Sequence, residues 1–240
     1  MKVKRQKMTN PGCGGRENQD YIWCKYNTYQ GKLIILAAVC DGVGGEPGGQ
    51  YASKRLIDYL VGGFWSHLNQ YEEEGLSGSQ LFEKLTHVLC YSNEQLYEKG
   101  VKERKKSGTT ASIFFLIDKK YYLLNVGDSR IYWKCGGRMY RTKDQTLYEE
   151  KKRMNKVPKE DDAHILMQSV GSQKSLQPDY YSGVLTQPTS FMLMTDGAYR
   201  PFDQKEIYRY CCSGDLAHLR RIALKRKEQD NLSCIWLQIS

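Results

Sequence analysis

Apolar, β-rich runs in this chain repeatedly end beside an aspartate. Asp41 closes the run in AVCDGVGG, Asp128 the run in LLNVGDSR and Asp196 the run in FMLMTDGA. Asp230, in KEQDNLSC, stands just ahead of the last apolar run, and a fifth acid, Asp20, ends RENQD near the start. A fold built on these runs delivers carboxylates to strand ends. That is what a hard-cation site needs, since Mg²⁺ and Mn²⁺ prefer oxygen ligands and fill their remaining positions with water.

The rest of the chain bounds what can surround such a site. Its 240 residues suit one domain, expected over 1–240. With 40% hydrophobic and 26% charged residues it reads as globular. The longest apolar stretch, Leu33 to Cys40, is far shorter than the ~20 residues of a membrane-spanning helix. The opening MKVKRQKMTN is basic, but no apolar signal region follows it. A cytoplasmic, monomeric protein without membrane contact is expected.

Cysteines fall at 13, 24, 40, 90, 135, 211, 212 and 234, with no CxxC pair and no nearby paired histidines. Zinc and disulfide frameworks are disfavoured by that spacing. Reduced thiols are expected, with Cys40, Cys90 and Cys234 acting as small buried hydrophobes. The net charge of +9 raises nucleic-acid binding as a class. However, the basic clusters at 102–106, 151–159 and 220–227 are mostly mixed with glutamate and carry no interleaved aromatics. Solvated faces explain them, and no nucleic acid is expected as a partner.

Periodicity sketches the elements. Tyr21 to Thr28 and Leu33 to Cys40 read as a hairpin turning at 29–32. Gln50 to Val61 and Ser79 to about Glu103 read as helices. The second carries a stripe of Leu81, Leu85, Val88, Leu89 and Leu96, with Ser77 or Ser79 as its cap. Thr109–Ile117, Tyr121–Val126, Arg130–Lys134, Phe191–Thr195 and Leu232–Ile239 read as strands. Short helices are expected at 204–210 and 216–227. Residues 143–177 are polar and without sustained periodicity, a length of irregular chain that is often functional. Helices grouped in pairs between strands predict an α+β fold, not a doubly wound parallel sheet.

Taken singly, each acidic motif has a bland explanation. DGVGG lacks the spacing of a dinucleotide fingerprint and has no Walker lysine. GDSR reads as a tight hairpin with a structural Asp–Arg pair, and DG as a turn. In order along the chain, the motifs are more specific. RENQD, DGVGG, SGTTAS (107–112), NVGDSRIY (125–132), TKDQTL (142–147), LMQSVGS (166–172), LMTDGAY and DNLSCI span residues 16–235. Together they resemble the type 2C family of metal-dependent serine/threonine protein phosphatases, particularly its compact bacterial members.

That resemblance implies a four-layer α-β-β-α sandwich: a central antiparallel β-sandwich flanked by helix pairs. It implies two tightly bound Mn²⁺ or Mg²⁺ ions, bridged by Asp41, with the Gly42 carbonyl completing one and Asp196 and Asp230 holding the other. Asp20 would hydrogen-bond a metal-bound water, and Asp128 matches an acid that helps hold a third, weaker ion in many bacterial relatives. Arg16 would contact phosphate, and a variable flap would lie within 143–177. Phosphorylated proteins, the targets of a serine/threonine kinase, are the implied substrates. Ions of this kind lower the pKa of a bridging water, and the resulting hydroxide attacks phosphorus in line. No HCxxxxxR loop or HExxH spacing competes with this reading, and His164, within the flap region, reads as a surface or structural histidine ahead of the alternative, a group that assists proton transfer.

Three departures stand out. Arg16 lies four residues before Asp20, against the family's usual five. Gln19 replaces a common glutamate. Val43 stands where eukaryotic relatives often carry a histidine. The rival readings are a noncatalytic phosphoprotein-binding member of the same fold and a basic nucleic-acid-binding protein.

Overall fold

In a computed structural model, residues 1–29, 31–45 and 48–240 are described, Tyr29 by its backbone alone. Two five-stranded antiparallel sheets stack between helices. In chain order the elements begin with β1 (Val3–Asn10), β2 (Tyr21–Tyr29), β3 (Lys32–Cys40) and β4 (Gly42–Val43). Helices α1 (Gly48–Gly63), α2 (Leu68–Glu73) and α3 (Gly78–Glu103) follow. Strands β5 (Gly108–Thr109), β6 (Ala111–Ile117), β7 (Lys120–Val126), β8 (Arg130–Cys135) and β9 (Arg138–Arg141) form the middle. The remainder is α4 (Leu147–Arg153), β10 (Asp179–Val184), β11 (Thr189–Met194), α5 (Asp196–Tyr199), α6 (Gln204–Ser213), α7 (Leu216–Lys225) and β12 (Leu232–Ile239).

One sheet runs β1-β12-β11-β8-β9, the other β10-β7-β6-β3-β2, and β4 pairs with β5 apart from both. The layers follow from strand alternation. Along β3, Ile34, Leu36, Ala38 and Cys40 face α1 and α3, packing with Leu56, Leu60, Leu85 and Leu89. The intervening Ile35, Ala37 and Val39 face the other sheet, against Phe191, Leu193, Ile235 and Leu237. A strand buried on both faces must be apolar throughout, which is why β3 reads as one continuous run. The outer face of β11 and β12 (Met192, Met194, Cys234, Trp236) packs on Ile207, Tyr210 and Leu219 of α6 and α7. This gives the expected α-β-β-α order.

The central strands and long helices lie close to their expected bounds. Ser77 caps α3 through a capping box with Gln80. Gln30, in the expected turn between β2 and β3, lies outside the described residues, but those strands pair through Tyr29↔Lys32. Other expectations are corrected. The run Thr109–Ile117 breaks at Thr110, leaving β5 to pair with β4. Strands β1, β9 and β10 arise where none was expected, and all three are sheet edges. The 143–177 segment holds α4 and a 3₁₀ turn over Glu160–His164, tied by Lys151 to Asp162 at 2.7 Å. Cys90 is exposed and not a core residue; all eight cysteines are free thiols. Finally, Gly127-Asp128 is not a hairpin. Strands β7 and β8 belong to different sheets, so the turn carries the chain across the sandwich.

That crossover is held by TKDQT. Gln145 accepts from the Gly127 N–H at 2.9 Å and its own N–H donates to the Gly127 carbonyl at 3.0 Å. The Thr142 hydroxyl accepts from the Ile131 N–H at 3.1 Å. These motif residues therefore brace the turn that bears Asp128. Among the described residues no helix is long and apolar enough to cross a membrane.

Candidate active site

Strand register brings the acids together. Tyr21 pairs with Cys40, so Asp20 and Asp41 leave the same end of one sheet side by side. In the other sheet Met194 pairs with both Cys234 and Arg130. Asp196, Asp230 and Asp128 thus emerge at a common end. The result is a cavity of about 370 Å³ lined by Asp41, Gly42, Asp128, Asp196 and Asp230, with Arg16, His164 and Arg200 among its other walls. Asp20 lies just beneath, buried, its Oδ2 accepting from the Thr195 hydroxyl at 2.9 Å.

Two glycines allow the close approach. A Cβ on Gly42 would stand 2.3 Å from the Gly49 backbone at the start of α1. One on Gly197 would stand 2.3 Å from the Asn231 carbonyl and 3.1 Å from the Asp230 Cβ. Any side chain there would push the DGVGG or DNLSC segment away from the cavity.

The electrostatics are unbalanced. Asp20, Asp128 and Asp196 are buried, and Asp41 is part-open at the cavity but enclosed on its other sides. Burial pushes Asp20 up to about 7, opposed by hydrogen bonds from Ser233 and Thr195 and reinforced by Asp196 and Asp230. Burial and then the charges of Asp196, Asp20, Asp128 and Asp230 hold Asp41 well above the carboxylate range. Asp128 is pushed up to about 7 by burial and by Asp196, against the pull of Arg200. Asp196 is also raised, since burial outweighs its contact with Arg200. Crowded carboxylates lacking cations resist ionising.

Of the expected site residues, Arg16 lies exposed on the rim and makes no hydrogen bond or ion pair among the described residues. His164 is exposed and lines the same cavity. One expectation is corrected. Asp128 does not pair with Arg130, which instead grips Asp144 with two hydrogen bonds of 2.8 and 2.6 Å. Arg200, overlooked in the sequence, is the cation that enters the acid cluster. It contacts Asp196 directly and lies 3.9 Å from Asp128 and 3.7 Å from Asp230. Its place four residues after Asp196, on a turn of helix, was the available signal. Asn231 was missed as well: its Oδ1 accepts from the Gln19 N–H at 2.8 Å, tying RENQD to DNLSC.

The donor set suits a hard divalent cation: anionic carboxylate oxygens, with the buried Asp20 Oδ1 lacking a hydrogen-bond partner among the described residues. As the side chains stand, no three acidic, histidine or cysteine groups among the described residues form a finished coordination shell.

Comparison with known proteins bears on the fold and the family of the chain. Protein phosphatase PhpP of Streptococcus pneumoniae is 28% identical over 207 residues, covering 83% of this chain and 80% of that protein. The structure of the serine/threonine phosphatase Stp1 from Staphylococcus aureus superposes with a TM-score of 0.83 at 25% identity, over 100% of this chain and 96% of that one. The catalytic domain of the phosphatase PstP in complex with 2 manganese ions shares the fold, with a TM-score of 0.80 at 20% identity over 99% of each chain. A model of the protein phosphatase 2C family matches residues 14–229, and the chain belongs to that family.

Proposed function

We propose that this phosphatase hydrolyses phosphoserine and phosphothreonine in proteins with the aid of Mn²⁺ or Mg²⁺. The reading is carried by one observation: four aspartates from separate segments line one cavity and a fifth, Asp20, is buried beside them, with too little positive charge among the described residues to balance them. Asp41, the Gly42 carbonyl, Asp196 and Asp230 would hold the ions, with Asp20 beneath them. The manganese in PstP supports the choice of metal. Bound there, divalent cations would activate water near neutral pH and neutralise charge on the phosphoryl group.

The chain's own groups do the positioning. Thr195 orients Asp20 by donating to its Oδ2 and itself accepts from the Ser233 N–H at 2.9 Å. Asp20 Oδ1, without a hydrogen-bond partner among the described residues, keeps the capacity to accept a proton or a hydrogen bond. Arg16, uncommitted on the rim, would grip the phosphate oxygens as a planar fork. Residues 1–240 would act as one catalytic unit, with the flap inside 143–177 contributing His164 to the cavity wall.

A second reading, a noncatalytic phosphoprotein-binding member, is favoured by the guanidinium of Arg200 among the acids. Release of inorganic phosphate from a phosphothreonine peptide separates the two. The enzyme reading expects turnover with Mn²⁺ that EDTA abolishes. Peptide binding without turnover at saturating Mn²⁺ would establish the other.

A further inference from the structure

Arg200 has no part in the mechanism above, yet it is the best-placed cation in the site. Its Nη2 contacts the Asp196 carboxylate and faces Asp128 at 3.9 Å, while Nη1 faces Asp230 at 3.7 Å. It therefore sits between Asp196 and Asp128, the acid that the family resemblance would assign to a third, weaker ion. By contrast, Asp20 and Asp41 form no ion pair among the described residues.

The position is built into the local chain. Helix α5 places Arg200 one turn after Asp196, and the Arg200 N–H donates to the Asp196 carbonyl at 2.8 Å. The adjacent Tyr199 hydroxyl donates to the Asp128 carbonyl at 3.0 Å, tying this turn to the crossover. The Tyr199 ring lies under the Arg130 guanidinium, 3.7 Å from its centroid, and Asp144 fixes Arg130 from the other side. Backbone and neighbours thus hold Arg200 beside the acids. A guanidinium keeps its charge at all working pH values and offers five N–H groups, so it can serve two carboxylates at once.

We propose that Arg200 takes the place of a third divalent ion between Asp128 and Asp196, so that this chain holds two ions and supplies the remaining cation itself. The inference rests on the metal-dependent reading above. It reassigns Asp128 from ion ligand to anchor of Arg200, and makes Arg200 a positioning residue for the acid cluster.

Calorimetric titration of the metal-free protein with Mn²⁺, without substrate, tests this on wild type, Asp128→Asn and Arg200→Gln. The expected result is two ions in wild type and two in Asp128→Asn, with affinities within about twofold of each other. Arg200→Gln should take up an additional, weaker ion, and its metal-free form should melt at a lower temperature than wild type. Three ions in wild type, or one ion lost in Asp128→Asn, would overturn the proposal. So would an unchanged stoichiometry in folded Arg200→Gln. If that variant does not fold, wild type and Asp128→Asn decide the matter alone. Absence of Mn²⁺ binding in every protein, wild type included, would instead overturn the metal-dependent reading itself and this inference with it.

Discussion

Two groups of charged side chains stand side by side at this end of the sandwich, and they are built in opposite ways. In one, Asp144 receives two hydrogen bonds from Arg130 and one from Arg141 at 3.1 Å, while Arg130 also stacks on Tyr199. Each charge there meets an opposite one. In the other, Asp20, Asp41, Asp128 and Asp196 crowd together and repel, with one guanidinium among the described residues, that of Arg200, in contact with them. The paired network, in which two guanidiniums share one carboxylate, serves as scaffold and holds Tyr199 and the crossover in place. The unbalanced one keeps electrostatic energy that cations can release. Low-dielectric surroundings make both effects large, stabilising where charges match and costly where they do not.

The sharpest way to break this comparison is Asp41→Asn. Activity should fall on the order of a thousandfold, as expected when electrostatic support for the transition state is lost. The metal-free protein should at the same time melt at a higher temperature, because one of the mutually repelling carboxylates is gone. Near-normal turnover at saturating Mn²⁺ would remove Asp41 from the mechanism.

Asp144→Ala should act in the reverse sense. Loss of the partner leaves Arg130 poorly compensated, at a cost of about 3 kcal/mol in unfolding free energy. Denaturant melts measure this, and turnover per folded molecule should suffer far less than in Asp41→Asn. A neutral effect on stability would mean that the two clusters do not differ as described.

Asp196→Asn and Asp230→Asn should each raise the Mn²⁺ concentration needed for half-maximal activity by about tenfold or more. If they share an ion, the double mutant should be no worse than the more damaged single. Clean multiplication of the two losses would argue for separate sites. The smallest effect is expected far from both clusters. Ser77→Ala removes the α3 cap and should cost about 1 kcal/mol with no change in metal response. A shift in Mn²⁺ requirement there would show that the helix layer is coupled to the site.

Strands were legible where burial left a strong pattern. Strands β3, β11 and β12 are apolar because both faces are covered, and the stripe on α3 marks a helix with one covered face. The overlooked strands β1, β9 and β10 are edges. β1 buries only Met8, and β10 keeps no fully buried residue. They exist because a neighbour offers a row of unpaired backbone groups, as β12 does along Val3↔Ile239 to Asn10↔Leu232. Such a strand is specified by its partner, so its own residues carry little signal.

The same division applies to the site. Local sequence was enough to place each aspartate at a strand end, because apolar runs and glycine turns are properties of neighbouring residues. It also contained the one-turn spacing of Asp196 and Arg200. Only the tertiary structure decided that GDSR crosses between sheets instead of turning back within one. It also decided that Arg130 belongs to Asp144, and that Arg200 enters the acid cluster. Ion partners are chosen by distance in space, which sheet order and register set through contacts between residues far apart in the chain.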